Sequence, residues 1–195
     1  LGETSSFASD NFDIKYLRCR WEADPAVRYI QGNVTFYFTA VAPTSSITFD
    51  MMAPLVTDSV KQRSSNLTYY QNSNSLQVVL GNSLNTGQLD SVTIFYKGVP
   101  PNTGFGSFIQ STHQTVPVMW TLSEPYGARD WWPCKNGLDD KADSIDVYIT
   151  HPDIYKAASN GLLQSETAVA GNKIITHWQH RYPIATYLVC FAITN

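Results

Sequence analysis

The sequence carries little charge and has no basic run. Only 15% of its 195 residues are charged, and the formal net charge is −3. Proteins that bind nucleic acid need clustered lysine and arginine to neutralise phosphates, so we expect no nucleic-acid partner. The sequence also has no apolar run of the roughly 20 residues that a membrane-spanning helix requires, so we expect no membrane span.

Cysteine is scarce and widely spaced. The three cysteines, Cys19, Cys134 and Cys190, fit neither a zinc-binding pattern nor a disulfide framework. Each lies among apolar or aromatic residues, which favours buried free thiols. One disulfide among the three stays open if the protein is exported. Abundant Asn, Ser, Thr and Tyr with few lysines slightly favour export over a cytoplasmic location.

The motifs of common hydrolases are absent from the chain. It contains neither a His-Glu-x-x-His zinc motif nor a Gly-x-Ser-x-Gly elbow. His177 and His180 are three residues apart in a predicted strand, so their side chains point to opposite faces and cannot share one ion. His113 and His151 have no neighbouring ligand, and we predict that they lie in loops or at the surface. We therefore predict no metal site in this chain.

Alternation of apolar and polar residues dominates the sequence, and no helical period extends over ten residues. The pattern predicts an all-β fold, a single saddle-like or sandwich domain of roughly a dozen mostly antiparallel strands with very little helix. We predict a polar leader over residues 1–10 and one β domain over residues 11–195. The helix-compatible pieces are short, at residues 139–142 and 153–158.

Glycine, proline and asparagine mark the predicted connections. Residues 97–115 contain two prolines and three glycines, which predicts a long irregular loop with a functional or covering role. The dipeptides Asn160-Gly161 and Gly171-Asn172 both predict hairpin turns.

Three of the five tryptophans lie within residues 120–143. Trp131 and Trp132 could form a stacking platform for a sugar. Their position beside Pro133-Cys134 and close to predicted strands favours core packing instead.

An acidic cluster follows the tryptophans. Its members are Asp139, Asp140, Asp143 and Asp146. The spacing does not match an EF-hand calcium loop. We therefore predict a solvated turn in which Lys141 offsets part of the charge.

Glu124 stands directly before Pro125, which biases its backbone towards an extended or turn conformation. An acid held on such a corner can project from a sheet edge towards a site. Taken alone, an exposed glutamate before proline is more often an ordinary surface residue, so its functional interpretation depends on the residues around it.

Several short segments resemble the signature of the N-terminal domain of the aminopeptidase N family of zinc aminopeptidases, to which leukotriene-A hydrolase is related. The first reads T-L-S-E over residues 121–124, and the last reads P-I-A-T-Y-L over residues 183–188. Between them, the spacing of eight residues from a proline to a lysine is kept. The matching positions outside the first segment are Ala128, Arg129, Pro133, Cys134, Lys141 and Tyr187.

The resemblance implies a β domain that precedes a thermolysin-like catalytic domain, which would be its partner within the same protein. It implies that Glu124 binds the free α-amine of peptide substrates, that the other matching positions are structural, and that this chain holds no catalytic residue. The family's zinc is bound by the catalytic domain, and the sequence ends at Asn195 before that domain would begin. We therefore expect an inactive piece of an enzyme that releases N-terminal residues from peptides.

Two departures from the family pattern affect the expected turn geometry. Leu122 stands where the family often has glutamine, and Asn136-Gly137-Leu138 replaces Asp-Glu-Pro. The alternative function is a free-standing β-sandwich module that binds carbohydrate or protein through Trp131, Trp132 and nearby tyrosines.

Overall fold

An eight-stranded sheet forms the largest part of the domain. The structure is a computed structural model that describes residues 6–102 and 106–195. Strands are numbered along the chain. In spatial order the large sheet contains β14 (Leu162–Val169), β15 (Lys173–His180), β12 (Ser144–Pro152), β1 (Phe12–Asp24), β2 (Val27–Ala40), β8 (Leu89–Gly98), β4 (Val56–Gln62) and β5 (Ser65–Asn66). The β1–β12 pair is parallel, and the other pairs in this sheet are antiparallel.

Three smaller antiparallel sheets complete the fold. The four-stranded sheet contains β13 (Lys156–Ser159), β17 (Phe191–Thr194), β10 (Val116–Thr121) and β9 (Phe108–His113). The three-stranded sheet contains β3 (Thr44–Asp50), β7 (Ser75–Leu84) and β6 (Tyr69–Gln71), and the two-stranded sheet contains β11 (Lys141–Ala142) and β16 (Ile184–Ala185). The helical elements of the described residues are two single 3₁₀ turns, Ala128–Asp130 and Thr186–Leu188.

The core lies against one face of the large sheet. Alternate residues of the central strands are fully buried, as Val34, Phe36 and Phe38 show on β2. The side chains between them, such as Tyr37, point to the outer face of the sheet and are partly exposed. The period of two seen in the sequence therefore follows from one packed face and one polar face.

The all-β prediction is confirmed, although the strands are more numerous than the dozen expected because several have only two to four residues. Three local predictions are wrong. The predicted loop at 97–115 contains the end of β8 and all of β9, and its residues 103–105 lie outside the described part. The helix-compatible segments contain β11 and most of β13, because tertiary pairing overrides weak local preference. The apolar pattern of residues 185–194 predicts a closing strand, but residues 186–188 form a 3₁₀ turn.

The two predicted hairpin turns have different outcomes. Gly171-Asn172 connects β14 to β15, and both residues have the positive φ angles, 85° and 55°, that such a turn needs. Asn160-Gly161 connects β13 to β14, which belong to different sheets, so this hairpin prediction is wrong. The chain instead changes sheets at this point.

Candidate functional site

Glu124 lies on an exposed turn just after β10. Strand β10 ends at Thr121, and a turn over residues 124–127 leads into the first 3₁₀ turn. The Glu124 side chain is exposed, and it makes no hydrogen bond or ion pair with any residue that the structure describes. Its carboxylate is therefore available to a group from outside this domain.

The backbone of this corner is held by hydrogen bonds to buried groups. The Gly127 N–H donates to the Ser123 carbonyl at 2.8 Å, and the Leu122 N–H donates to the Ser107 carbonyl at 3.0 Å. A Cβ on Gly127 would lie 2.1 Å from the Ser107 Oγ. The close approach of these two segments therefore requires glycine at position 127.

Trp131 and Trp132 belong to the base, the segment of residues 128–136 that follows the corner at residues 121–127. Both are fully buried. The ring of Trp131 lies 4.7 Å from that of Trp21 and 5.4 Å from that of Phe191. Core packing is thus confirmed, and neither tryptophan can be the surface stacking platform that a carbohydrate module would need.

The residues that match the family signature after the corner mostly contact the interior of the domain. Ala128 and Pro133 are buried, and Cys134 exchanges two backbone hydrogen bonds with Asp50, at 2.8 and 3.0 Å. The Arg129 carbonyl accepts the Met52 N–H at 2.9 Å, and the Arg129 guanidinium lies 5.8 Å from the centre of the Phe7 ring. These contacts tie the segment to β3 and to the start of the chain.

The middle and the last segment of the family signature meet in space. Lys141 is exposed on β11 and pairs with Ala185 on β16. Tyr187 is half-buried in the following 3₁₀ turn. The hydroxyl of Thr186 donates to the Lys135 carbonyl at 2.8 Å. The spacing of these residues therefore reflects a shared structural unit.

A buried ion pair lies in the predicted solvated turn. Lys135 Nζ lies 2.9 Å from the Asp140 Oδ2, and the two side chains are only 9% and 7% exposed. Lys135 also donates to the Phe12 carbonyl at 2.8 Å. Burial raises the pKa of Asp140 although Lys135 opposes the shift. The prediction of a solvated turn is wrong here, and Lys135 rather than Lys141 offsets the charge.

Asp146 is likewise buried, on the outer face of the large sheet. It accepts hydrogen bonds from His177 at 2.6 Å, Tyr16 at 2.8 Å, Arg181 at 2.8 Å and Gln179 at 3.2 Å. Burial opposes ionisation, but these donors outweigh it and hold the pKa of the Asp146 carboxyl below its usual range. The cluster joins four parts of the chain, which are β1, β12, β15 and the segment that follows β15.

His151 is buried within β12, which contradicts the prediction of a loop or surface position. Its ring nitrogens lie 2.9 Å from the Pro152 carbonyl and 2.8 Å from the Thr176 hydroxyl. Burial lowers the pKa of His151. Among the described residues no group of three or more His, Cys, Asp or Glu side chains is arranged to hold a metal ion. The three cysteines are free.

The family of the chain is shown by its sequence. The profile of the Peptidase M1 N-terminal domain matches residues 12–188. The chain belongs to this family. The resemblance drawn from the short motifs is thereby confirmed, and it extends over nearly the whole domain.

Curated relatives match the M1 domain over a shorter stretch. Glutamyl aminopeptidase of Sus scrofa is 40% identical over 80 residues, and that of Homo sapiens is 36% identical over 80 residues. Each alignment covers 41% of this chain and 8% of the relative. The chain thus spans a small part of the curated relatives that it matches.

Solved structures share the fold over almost the whole chain. A mutant of the M1 zinc metallopeptidase from Deinococcus radiodurans superposes with a TM-score of 0.86 at 22% identity, covering 95% of this chain and 42% of that one. Leukotriene A4 hydrolase from Saccharomyces cerevisiae gives 0.79 at 17% identity, covering 99% and 31%. At these identities the likeness shows the shared fold. No helix among the described residues is long and apolar enough to cross a membrane.

Proposed function

We propose that this M1 domain is the non-catalytic, substrate-anchoring domain of a zinc aminopeptidase that releases N-terminal residues from peptides. Membership of the family supports this proposal, as do the names of its relatives, which are aminopeptidases and zinc metallopeptidases. In this proposal a downstream catalytic domain of the same protein is the partner of the M1 domain and holds the zinc.

The observation that carries the proposal is the free carboxylate of Glu124. The charged groups of the neighbouring segment are occupied, as the Lys135–Asp140 pair shows, whereas Glu124 is exposed and has no partner among the described residues. An α-ammonium group needs an anionic partner when it leaves water, and a carboxylate on a fixed corner supplies one. A peptide that lacks the free amine would leave this carboxylate unpaired, which disfavours its binding.

The chemistry of hydrolysis belongs to another part of the protein in this proposal. The described residues of this chain do not fit a zinc site, so in this proposal the zinc and its bound water lie outside them. Their contribution is to bind and orient the amino end of the substrate. We expect the purified domain to release no amino acid from peptides and to hold no stoichiometric zinc when its metal content is measured.

The proposal is tested by Glu124→Ala in the intact protein. Removing one member of a desolvated charge pair costs about 2–5 kcal/mol, so kcat/KM for an aminoacyl substrate should fall by about 30-fold to several-thousand-fold. Substrates with leucyl and glutamyl side chains should both be assayed, because the relatives named above are glutamyl aminopeptidases.

Two control variants make the test specific. Glu124→Gln keeps the shape and a carbonyl acceptor but removes the charge. Its kcat/KM should therefore lie between those of the wild type and Glu124→Ala. Asp153→Ala removes another exposed carboxylate from a turn and should leave kcat/KM unchanged. An unaltered kcat/KM in Glu124→Ala would overturn the proposed role.

A further inference from the structure

We infer that Ser123 is a positioning residue for Glu124, an inference that rests on the proposed amine-binding function of Glu124. Ser123 is 2% exposed, whereas its neighbours Leu122 and Glu124 are exposed. Ser123 therefore attaches this corner to the interior.

Two polar groups of Ser123, its hydroxyl and its carbonyl, are held in place. Its hydroxyl accepts a hydrogen bond from Trp131 Nε1 at 2.8 Å, and its carbonyl accepts the Gly127 N–H at 2.8 Å. Trp131 is itself fixed, because it is fully buried and its carbonyl accepts the Tyr96 hydroxyl at 3.0 Å. The backbone that enters Glu124 is thus anchored to the rigid core.

The backbone that leaves Glu124 is anchored as well. The Asn136 side-chain amide donates to the Tyr126 carbonyl at 2.8 Å, and the Asn136 N–H donates to the Asp50 carboxylate at 3.0 Å. Asn136 is 2% exposed. The corner is therefore held on both sides while the carboxylate of Glu124 stays free. Such an arrangement lowers the entropic cost of binding a charged group from outside.

The Ser123–Trp131 hydrogen bond is more than a means of satisfying a buried indole. The adjacent Trp132 is also fully buried, and its Nε1 has no hydrogen-bond partner among the described residues. This core therefore accepts an indole without a partner. The bond at Trp131 differs because it fixes the residue that directly precedes Glu124.

A double-mutant cycle in the intact protein tests this inference. The variants are Ser123→Ala, Glu124→Ala and the double variant. Calorimetry measures their affinities for a dipeptide that has a free α-amine and a non-hydrolysable link in place of its peptide bond, and for the desamino analogue of this dipeptide. We expect Ser123→Ala to weaken the amine-bearing ligand by about tenfold, as for coupled neighbours. The affinity for the desamino analogue should not change, and the double variant should bind the dipeptide no more weakly than Glu124→Ala.

The possible results separate the two proposals. If Ser123→Ala has no effect, weakens both ligands equally, or weakens the dipeptide again in the Glu124→Ala background, the positioning role is overturned and the role of Glu124 stands. If Glu124→Ala alone leaves dipeptide affinity unchanged, both proposals fail.

Further variants guard against a purely structural effect. Ser123→Thr keeps the hydroxyl acceptor and should restore most of the affinity. Thr35→Val removes a buried hydroxyl bond, to Thr93 at 2.9 Å on the large sheet, and should change neither affinity. If Ser123→Ala does not fold, Asn136→Ala removes the second anchor and should give the same selective loss for the amine-bearing ligand. An equal loss for both ligands would contradict the inference.

Discussion

Two adjacent segments of the domain, the corner at residues 121–127 and the base at residues 128–136, differ in how they hold a charged side chain. In the base, Lys135 is buried and bound to Asp140, and two tryptophans pack fully inside. In the corner, Glu124 is exposed and its carboxylate has no partner among the described residues.

This difference shows how a fold keeps one charged group available. The base pairs its buried cation Lys135 with Asp140. It also donates to the corner, through Trp131 to Ser123 and through Asn136 to Tyr126. The Ser123 hydroxyl and the Tyr126 carbonyl are thereby held in place, and no cation among the described residues pairs with Glu124. Mutations in the base should therefore change stability, and mutations of Glu124 should change binding.

The largest effect on stability is expected from Trp131→Ala. Removing this fully buried indole leaves a cavity between Trp21 and Phe191, which should lower the free energy of unfolding by about 3–5 kcal/mol. Urea denaturation of the purified domain measures the change. Trp120→Ala is the matched control, because Trp120 is only partly buried and its loss should be smaller. Equal losses would show that the base is not the packed part of this region.

A loss of about 3 kcal/mol is expected from Lys135→Met, which leaves the Asp140 carboxylate buried without its cation. The control is Lys97→Met, whose pair with Asp58 is 2.8 Å long but about half exposed. That variant should lose about 0–1 kcal/mol. A small loss in Lys135→Met, measured by the same denaturation, would contradict the assigned burial of the pair.

The defect of Lys135→Met should depend on pH. Burial already raises the pKa of Asp140 with Lys135 in place, and loss of the cation raises it further. A group with a raised pKa binds its proton more readily in the folded state, so acidification favours folding at this site. The stability gap between wild type and variant should therefore narrow as the pH falls from 7 towards 5. A gap that widens over this range would show that Asp140 is not the group left uncompensated.

The smallest effect on stability is expected from Glu124→Ala. Its side chain is exposed and makes no internal contact that the variant would remove, so the free energy of unfolding should change by no more than about 0.5 kcal/mol. The thermal midpoint of the purified domain checks this. A large loss would mean that Glu124 belongs to the structural base.

Sequence patterns predicted the fold and the buried tryptophans because both depend on local signals. Period-two alternation identifies half-buried strands such as β2, and bulky aromatic residues next to strands favour the core. The position of Glu124 on a corner followed from Pro125, and the structure places it on an exposed turn. Its role in binding an amine stays a prediction, as do the domain boundaries and export.

The burial of Asp146 and Lys135 was missed because it depends on contacts with residues that are distant in the sequence. Asp146 meets Tyr16, which lies 130 residues away, only because β1 and β12 pair in parallel. Lys135 contacts Phe12 across 123 residues. A run of aspartates looks solvated when such partners are unknown. The anchors of the corner, Ser123 and Asn136, bond to residues only 8 and 10 positions away. They were missed because these contacts form in irregular turns, where no helix or strand period indicates which side chains meet.

The most direct test of the account compares two substrates of the intact protein, one with an α-amine and one with a hydroxyl in its place. The wild type should prefer the amine strongly in kcat/KM. In Glu124→Ala this preference should fall by about 30-fold or more, because the lost carboxylate contacts only the charged amine. An undiminished preference for the amine in Glu124→Ala would contradict the account.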